Sequence, residues 1–243
     1  MKTLTSRRNP IVRRYRDVAS GDAPDLLLLD GAHLIDEAVS AKLPIQSVAC
    51  TPHGLAVSGL RRLIGQLQAA GAEVYSVPHE VMRAISPLQS PSGIVALARR
   101  PVSTLPQALD TRPQLVLVVV DVQDPGNAGA IVRAAEAGGA HGVVFAGASA
   151  DPFGWKALRG SMGSAFRLPV LTAGVQDVMI AARARSVRVV ATVPRGACSL
   201  FDSDLRGPVA LLLGGEGPGL PEALIARADE TISIPMRASV ESL

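Results

Sequence analysis

Aromatic residues make up only 3 % of this 243-residue chain, with one Trp and two Tyr. That scarcity argues against a single-strand nucleic-acid binder built on stacked bases, so a nucleic-acid partner would be recognised by folded shape and backbone. Cysteine is nearly absent. Cys50 and Cys198 lie far apart and form no CxxC pair, which fits a reduced cytosolic compartment and no structural zinc. The four histidines, His33, His53, His79 and His141, have no metal-ligand spacing, so no metal site is expected. The longest purely apolar runs are about six residues, far short of the ~20 that a membrane-spanning helix needs, and the charged N-terminus lacks the apolar core of a signal peptide. A soluble, cytoplasmic protein without membrane contact is the expectation.

Apolar residues, by contrast, make up 48 % of the chain, enough for a substantial core and two domains of ordinary size. The net charge is +3, and arginine supplies most of the positive charge. Because a guanidinium suits bidentate phosphate contacts, a polyanionic partner is favoured. Residues 1–18 concentrate this charge: Lys2, Arg7, Arg8, Arg13, Arg14 and Arg16 stand against the single acid Asp17. Beyond Pro10, the spacing of Ile11, Val12, Tyr15 and Val18 predicts one buried face of a short helix, whose cations either contact RNA phosphates or are merely solvated.

From Asp25 the pattern alternates strand and helix through DLLLLDG, AHLIDEAVSA, IQSVACT, LRRLIGQLQAAG, EVYSV, HEVMRAIS and GIVALARR, which makes a small αβ domain. It holds no catalytic constellation. Asp36 and Glu37, adjacent on a helix, point apart and read as surface acids. Residues 99–113 carry three prolines, no period and a polar skew, which places the domain boundary there. The alternation then resumes to the end of the chain and predicts a parallel sheet covered on both faces. Within it, Lys156 and Arg159 share one helical face.

The second half is organised around residues 115–139, LVLVVVDVQDPGNAGAIVRAAEAGG, a buried strand that runs through a polar turn into a helix. Asn127 is the expected N-cap, and Arg133, six residues on, can lean back toward the same pocket mouth. Residues 211–220, LLLGGEGPGL, form a second strand entering a glycine-rich turn, where Gly214, Gly215, Gly217 and Gly219 let backbone approach a ligand. A dinucleotide-binding loop fits poorly, because these glycines come late in the chain, Pro218 interrupts them and no Lys-Ser/Thr pair cradles a phosphate. Residues 233–243, SIPMRASVESL, form a third strand entering a loop of small residues.

These three stretches, in this order and spacing, resemble the three motifs of the SpoU (TrmH-like) family of RNA ribose 2′-O-methyltransferases in the SPOUT superfamily. The resemblance implies an α/β chain with a C-terminal trefoil-knotted domain at residues 114–243, built on a parallel sheet that binds S-adenosylmethionine in a bent pose and pairs as a homodimer. Residues 1–100 look like the L30e-like RNA substrate-binding domain of many members, most closely at DGAHLIDEA (30–38) and SPSGIVALA (90–98), with 101–113 as linker. Asn127, Arg133, Glu216 and Ser242 match active-site positions. Thr192, Gly214, Ile234, Met236 and Leu243 match cofactor-binding positions. Arg7, Arg8, Arg13, Arg14, Lys156 and Arg159 are candidate contacts to a structured ribosomal or transfer RNA. The sequence stops at Ser242-Leu243, where the family motif continues with Asn-Val and a helix that threads the knot, so that helix is expected beyond it. The alternatives are a non-catalytic RNA-binding protein that keeps the fold and a nucleotide-binding oxidoreductase.

Overall fold

The computed structural model describes residues 1–110, 115–195 and 198–237 and forms two compact units, Met1–Pro101 with Phe153–Arg167, and Val102–Pro152 with Leu168–Leu243. The first unit begins with β1 (Lys2–Thr3) and α1 (Pro10–Ser20). Asn9 caps α1 by accepting the Ile11 N–H at 2.9 Å, Pro10 opens it, and Gly21 at φ 90° ends it in the left-handed region. Then follow β2 (Leu26–Asp30), α2 (Ala32–Ser40), β3 (Ile45–Cys50), α3 (Pro52–Ala56), α4 (Ser58–Ala69), β4 (Glu73–Ser76), α5 (His79–Ile85) and β5 (Ile94–Arg99). The sheet order is β1-β4-β3-β5-β2, with β5 antiparallel to both β2 and β3. As the periodicity of α1 predicts, Val12, Tyr15 and Val18 are buried, in a core with Leu26, Leu28 and Tyr75. The Tyr15 hydroxyl meets Ser47 Oγ at 2.9 Å, and burial pushes its pKa up.

The second unit starts with α6 (Leu105–Ala108), β6 (Leu115–Val120), α7 (Pro125–Ala137) and β7 (Gly142–Ala146). The chain then enters α8 (Trp155–Ser161) and α9 (Ser164–Arg167), which pack with the first unit although they lie inside residues 114–243. Trp155 joins the core beneath α1, and the Arg100 guanidinium stacks on the Phe153 ring at 4.6 Å. Arg167 donates to the Glu37 carboxylate, so Glu37, half-buried, is also half of an ion pair. Back in the second unit come β8 (Val170–Thr172), α10 (Val175–Ala184), β9 (Arg188–Thr192), β10 (Cys198–Ser199), β11 (Val209–Gly214), α11 (Glu222–Ile225) and β12 (Glu230–Ser233).

The second sheet runs β10-β12-β9-β11-β6-β7-β8 with every neighbouring pair parallel. Val116, Val118 and Val120 face a core shared with Val178, Met179 and Ala182 of α10 and Leu224 of α11. Leu115 and Leu211 turn the other way, onto Val190, Val209 and Ile232. Both faces are thus covered, which is why β6 reads as an unbroken apolar run rather than an alternating one. No described helix is long and apolar enough to cross a membrane.

Candidate active site

In a parallel sheet, ligands gather beyond the carboxyl ends of the strands, at the point where successive connections run to opposite sides. Here β6 leads through α7 to β7 on one side, while β11, its other neighbour, leads through α11 to β12 on the far side of β9. The reversal therefore lies between β6 and β11, whose ends are in register at Val120 and Gly214.

Out of β6, Asp121 takes a left-handed conformation at φ 58°. Three residues later Asp124, not Asn127, caps α7: its Oδ1 accepts the Asn127 N–H at 2.8 Å, and Pro125 occupies the first helical position. The reason is local. Proline is pre-shaped for that first position, so the residue before it becomes the cap and Asn127 falls in the first turn. The Asn127 side chain is thereby released from capping, and its Nδ2 donates to Glu216 Oε1 at 2.5 Å. The Gln123 backbone N–H donates to the other carboxylate oxygen of Glu216 at 3.3 Å. These donors hold the Glu216 carboxyl below its ordinary range, the Asn127 amide first among them.

Glu216 reaches this position because β11 ends in a loop too tight for side chains. A Cβ on Gly214 would lie 2.5 Å from the carbonyl carbon of Gly219, and one on Gly215 only 2.0 Å from the Asp121 carbonyl oxygen. The loop closes on itself through a bridge between Gly215 and Gly219, with Gly217 and Gly219 in the left-handed region.

Beside Gly214, Thr192 ends β9 and donates through Oγ1 to the Leu212 carbonyl at 2.9 Å. The SIPM stretch is not a strand throughout: β12 stops at Ser233, because Pro235 has no N–H to continue the ladder. Ile234 is left 42 % exposed just beyond the end of β12, and Met236 is half-buried.

Asn127 and Glu216 are thus hydrogen-bonded, and Thr192, Gly214, Ile234 and Met236 follow the ends of three adjacent strands. Arg133, exposed on α7, stands outside the Asn127–Glu216 network. Ser242, Leu243 and residues 111–113 of the expected linker lie outside the described residues. The six candidate RNA contacts all fall in the first unit. Arg7 donates to the Glu80 carbonyl at 3.3 Å, Arg13 pairs with Asp17 at 3.8 Å, and Arg14 donates to Gln46 at 2.8 Å. Lys156 lies over the Trp155 ring at 5.4 Å, while Arg8 and Arg159 are exposed. The inward roles of Gln123 and Asp121 were not foreseen. One acts through a backbone N–H and the other through its φ, neither of which a residue pattern displays.

The donor set at these strand ends is backbone N–H and C=O beside exposed aliphatic carbon, with glycines that admit close approach. That chemistry suits an adenosine-like ligand better than a phosphate. Residues 114–243 match the model of the SpoU rRNA Methylase family, and residues 13–96 that of the MRM3-like substrate binding domain. The chain belongs to the SpoU rRNA Methylase family. It is 27 % identical over 246 residues to the 23S rRNA (guanosine(2553)-2′-O)-methyltransferase RlmP of Bacillus subtilis, covering all of this chain and 94 % of that one. Among solved structures, an AdoMet-bound rRNA methyltransferase from Sinorhizobium meliloti is 30 % identical, with a TM-score of 0.86 over 100 % of this chain and 92 % of that one. The SpoU methyltransferase AviRb from Streptomyces viridochromogenes, in complex with AdoMet, is 28 % identical with a TM-score of 0.86, over 97 % and 92 %. Membership in the SpoU family thus extends beyond the three motifs to a likeness along nearly the whole chain.

Proposed function

We propose that this protein transfers a methyl group from S-adenosylmethionine to a ribose 2′-hydroxyl of structured ribosomal RNA. The observation that carries the reading is the Asn127–Glu216 pair, joined across the switch point of a sheet that shares its fold with AdoMet-bound relatives. Bound S-adenosylmethionine supplies a methyl on a sulfonium, which departs as a neutral thioether and calls for no metal. Backbone groups at Gly214, Ile234 and Leu243 hold its adenine and ribose, with Thr192 and Met236 alongside.

Asn127, Glu216, Arg133 and Ser242 serve the acceptor. With its Nδ2 committed to an ionised Glu216, the Asn127 amide offers Oδ1 as a hydrogen-bond acceptor that orients the ribose hydroxyl. A guanidinium is a poor base, so Arg133 has another task. It grips the phosphate next to the attacking hydroxyl, and that phosphate or water takes the proton. Alignment is most of the task, since correctly held reactants gain several kcal/mol, on the order of 7–11, over reactants that must meet by diffusion.

The first unit is the RNA-gripping part, of the L30e-like kind. Its α1 and α8 both pack on β2, and Trp155 packs against the core that Val12, Tyr15 and Val18 of α1 enter, which supports reading Arg8, Arg13 and Arg14 with Lys156 and Arg159 as one RNA-contacting set. A trefoil knot is supported by the strand order, in which β12, last in sequence, lies between β9 and β10. The working form is a cytoplasmic homodimer, as the family resemblance implies.

Calorimetry tests the cofactor. S-adenosylmethionine binds with one site per chain and NADH gives no heat. Heat from NADH and none from S-adenosylmethionine would overturn the reading.

A further inference from the structure

The backbone of the second unit is under constraint at Asp121, which lies in the first motif stretch but to which the family resemblance assigns no role. A side-chain-bearing residue at φ 58° is strained, least so for Asp and Asn, and persists where its surroundings demand it. Two neighbouring strand ends make that demand. The Asp121 N–H donates to the Ala146 carbonyl at the end of β7 at 3.2 Å, and its Oδ1 accepts the Ala148 N–H at 2.6 Å. Between those two residues the carboxylate lies so close to Gly147 that a Cβ there would sit 2.2 Å from Oδ1. On its other side, the Asp121 carbonyl oxygen leaves room only for glycine at position 215, the residue before Glu216. The next residue, Val122, is fastened to the same loop: its N–H donates to Ser149 Oγ at 3.2 Å and its carbonyl accepts from the Ala150 N–H at 2.8 Å.

These contacts have one geometric consequence. The left-handed turn at Asp121 sends the chain out of the line of β6, so that Gln123 N–H and Asn127 Nδ2 both face Glu216. The close stacking of Gly215 on Asp121 sets how near Glu216 comes. We propose that Asp121 is a positioning residue for methyl transfer: its left-handed backbone, locked by its carboxylate on Ala148, fixes the spacing between the β6–α7 turn and the Gly215–Glu216 turn and so holds Asn127 and Glu216 together. The proposal rests on the methyltransferase reading for its kinetic consequence, but not for its structural one.

The test compares Asp121→Asn, Asp121→Gly and Asp121→Ala in the full chain. Asparagine keeps both the tolerance for positive φ and an acceptor for Ala148. Glycine keeps only the backbone freedom, and alanine keeps neither. Three properties are measured: melting temperature, kcat and KM for tritium transfer from S-adenosylmethionine to an unmodified 23S rRNA transcript, and the side-chain amide resonance of Asn127, assigned through Asn127→Ala. Asp121→Gly is expected to melt at or above the wild type, yet to lose about tenfold or more in kcat with KM little changed, as its Asn127 resonance shifts to the position of a solvated amide. Asp121→Ala loses both stability and turnover. Asp121→Asn recovers most of the turnover and the wild-type resonance. Turnover that simply follows melting temperature, with Asp121→Gly as fast as the wild type, overturns the proposal, as does an Asn127 resonance that is the same in all variants. Should the wild type transfer no methyl at all, the methyltransferase reading fails, while the resonance series still decides whether Asp121 holds Asn127.

Discussion

A guanidinium's planar fork suits a phosphate and makes a poor base, so the role that fits Arg133 is to grip a phosphate rather than to take a proton from a ribose. Arg133→Ala is therefore expected to leave folding and S-adenosylmethionine binding nearly intact while single-turnover methyl transfer falls by about 10²-fold, the scale of a misplacement near ~1 Å. Arg133→Lys recovers little, because an ammonium lacks the planar fork. Near-normal transfer by Arg133→Ala would return Arg133 to the status of a solvated surface charge. Glu216 bears on the same question through pH. Its carboxyl is held below the ordinary 4.5 in the fold, so its pairing with Asn127 is fully present above that value and is lost only as pH falls through the lowered one. Across neutrality the pair is constant, and any titration of the rate near pH 7 belongs to another group.

At the scale of elements, residues 115–139 were legible because two strong signals meet there: an apolar run buried on both faces of the sheet, and a Pro-containing turn into a helix. The position of the cap was not, because Asp124 and Asn127 are both good capping residues and only the proline between them decides. The SIPM stretch was read as a strand from its apolar residues, although the ladder stops at Ser233, two residues before Pro235. The family resemblance named Asn127 and Glu216 together as active-site positions, and the structure joins them by a hydrogen bond that no residue pattern displays. The packing of α8 with the first unit could not be read at all, because sequence neighbours suggest one home and the burial of Trp155 supplies another. That placement carries a prediction. If Lys156 and Arg159 touch RNA phosphates, replacing both by alanine weakens RNA binding across sequences and lowers the slope of log affinity against log salt by about one to two. Fluorescence anisotropy with a 23S rRNA fragment over a salt series measures both quantities, and an unchanged slope would show that α8 presents its cations to solvent alone.

For the whole molecule, fold class followed from alternation and covered strands, whereas a knot is a property of threading that no local pattern records. What the sheet contributes to function is a meeting of strand ends: the two turns that carry Asn127 and Glu216 are brought side by side by the β6–β11 pairing, although they are 89 residues apart in sequence. Direct displacement asks only that a hydroxyl, a methyl and a departing sulfur be held in line, and a stiff doubly covered sheet with glycine turns at its mouth is suited to that. The most direct test incubates the protein with tritiated S-adenosylmethionine and an unmodified 23S rRNA transcript, then digests the RNA in alkali. A methylated 2′-oxygen cannot attack the adjoining phosphate, so label is expected in an alkali-resistant dinucleotide from a single position, and Asn127→Ala should abolish it. Label recovered as a methylated base, or none with S-adenosylmethionine bound and RNA intact, would contradict the assignment of this site to ribose 2′-O-methylation.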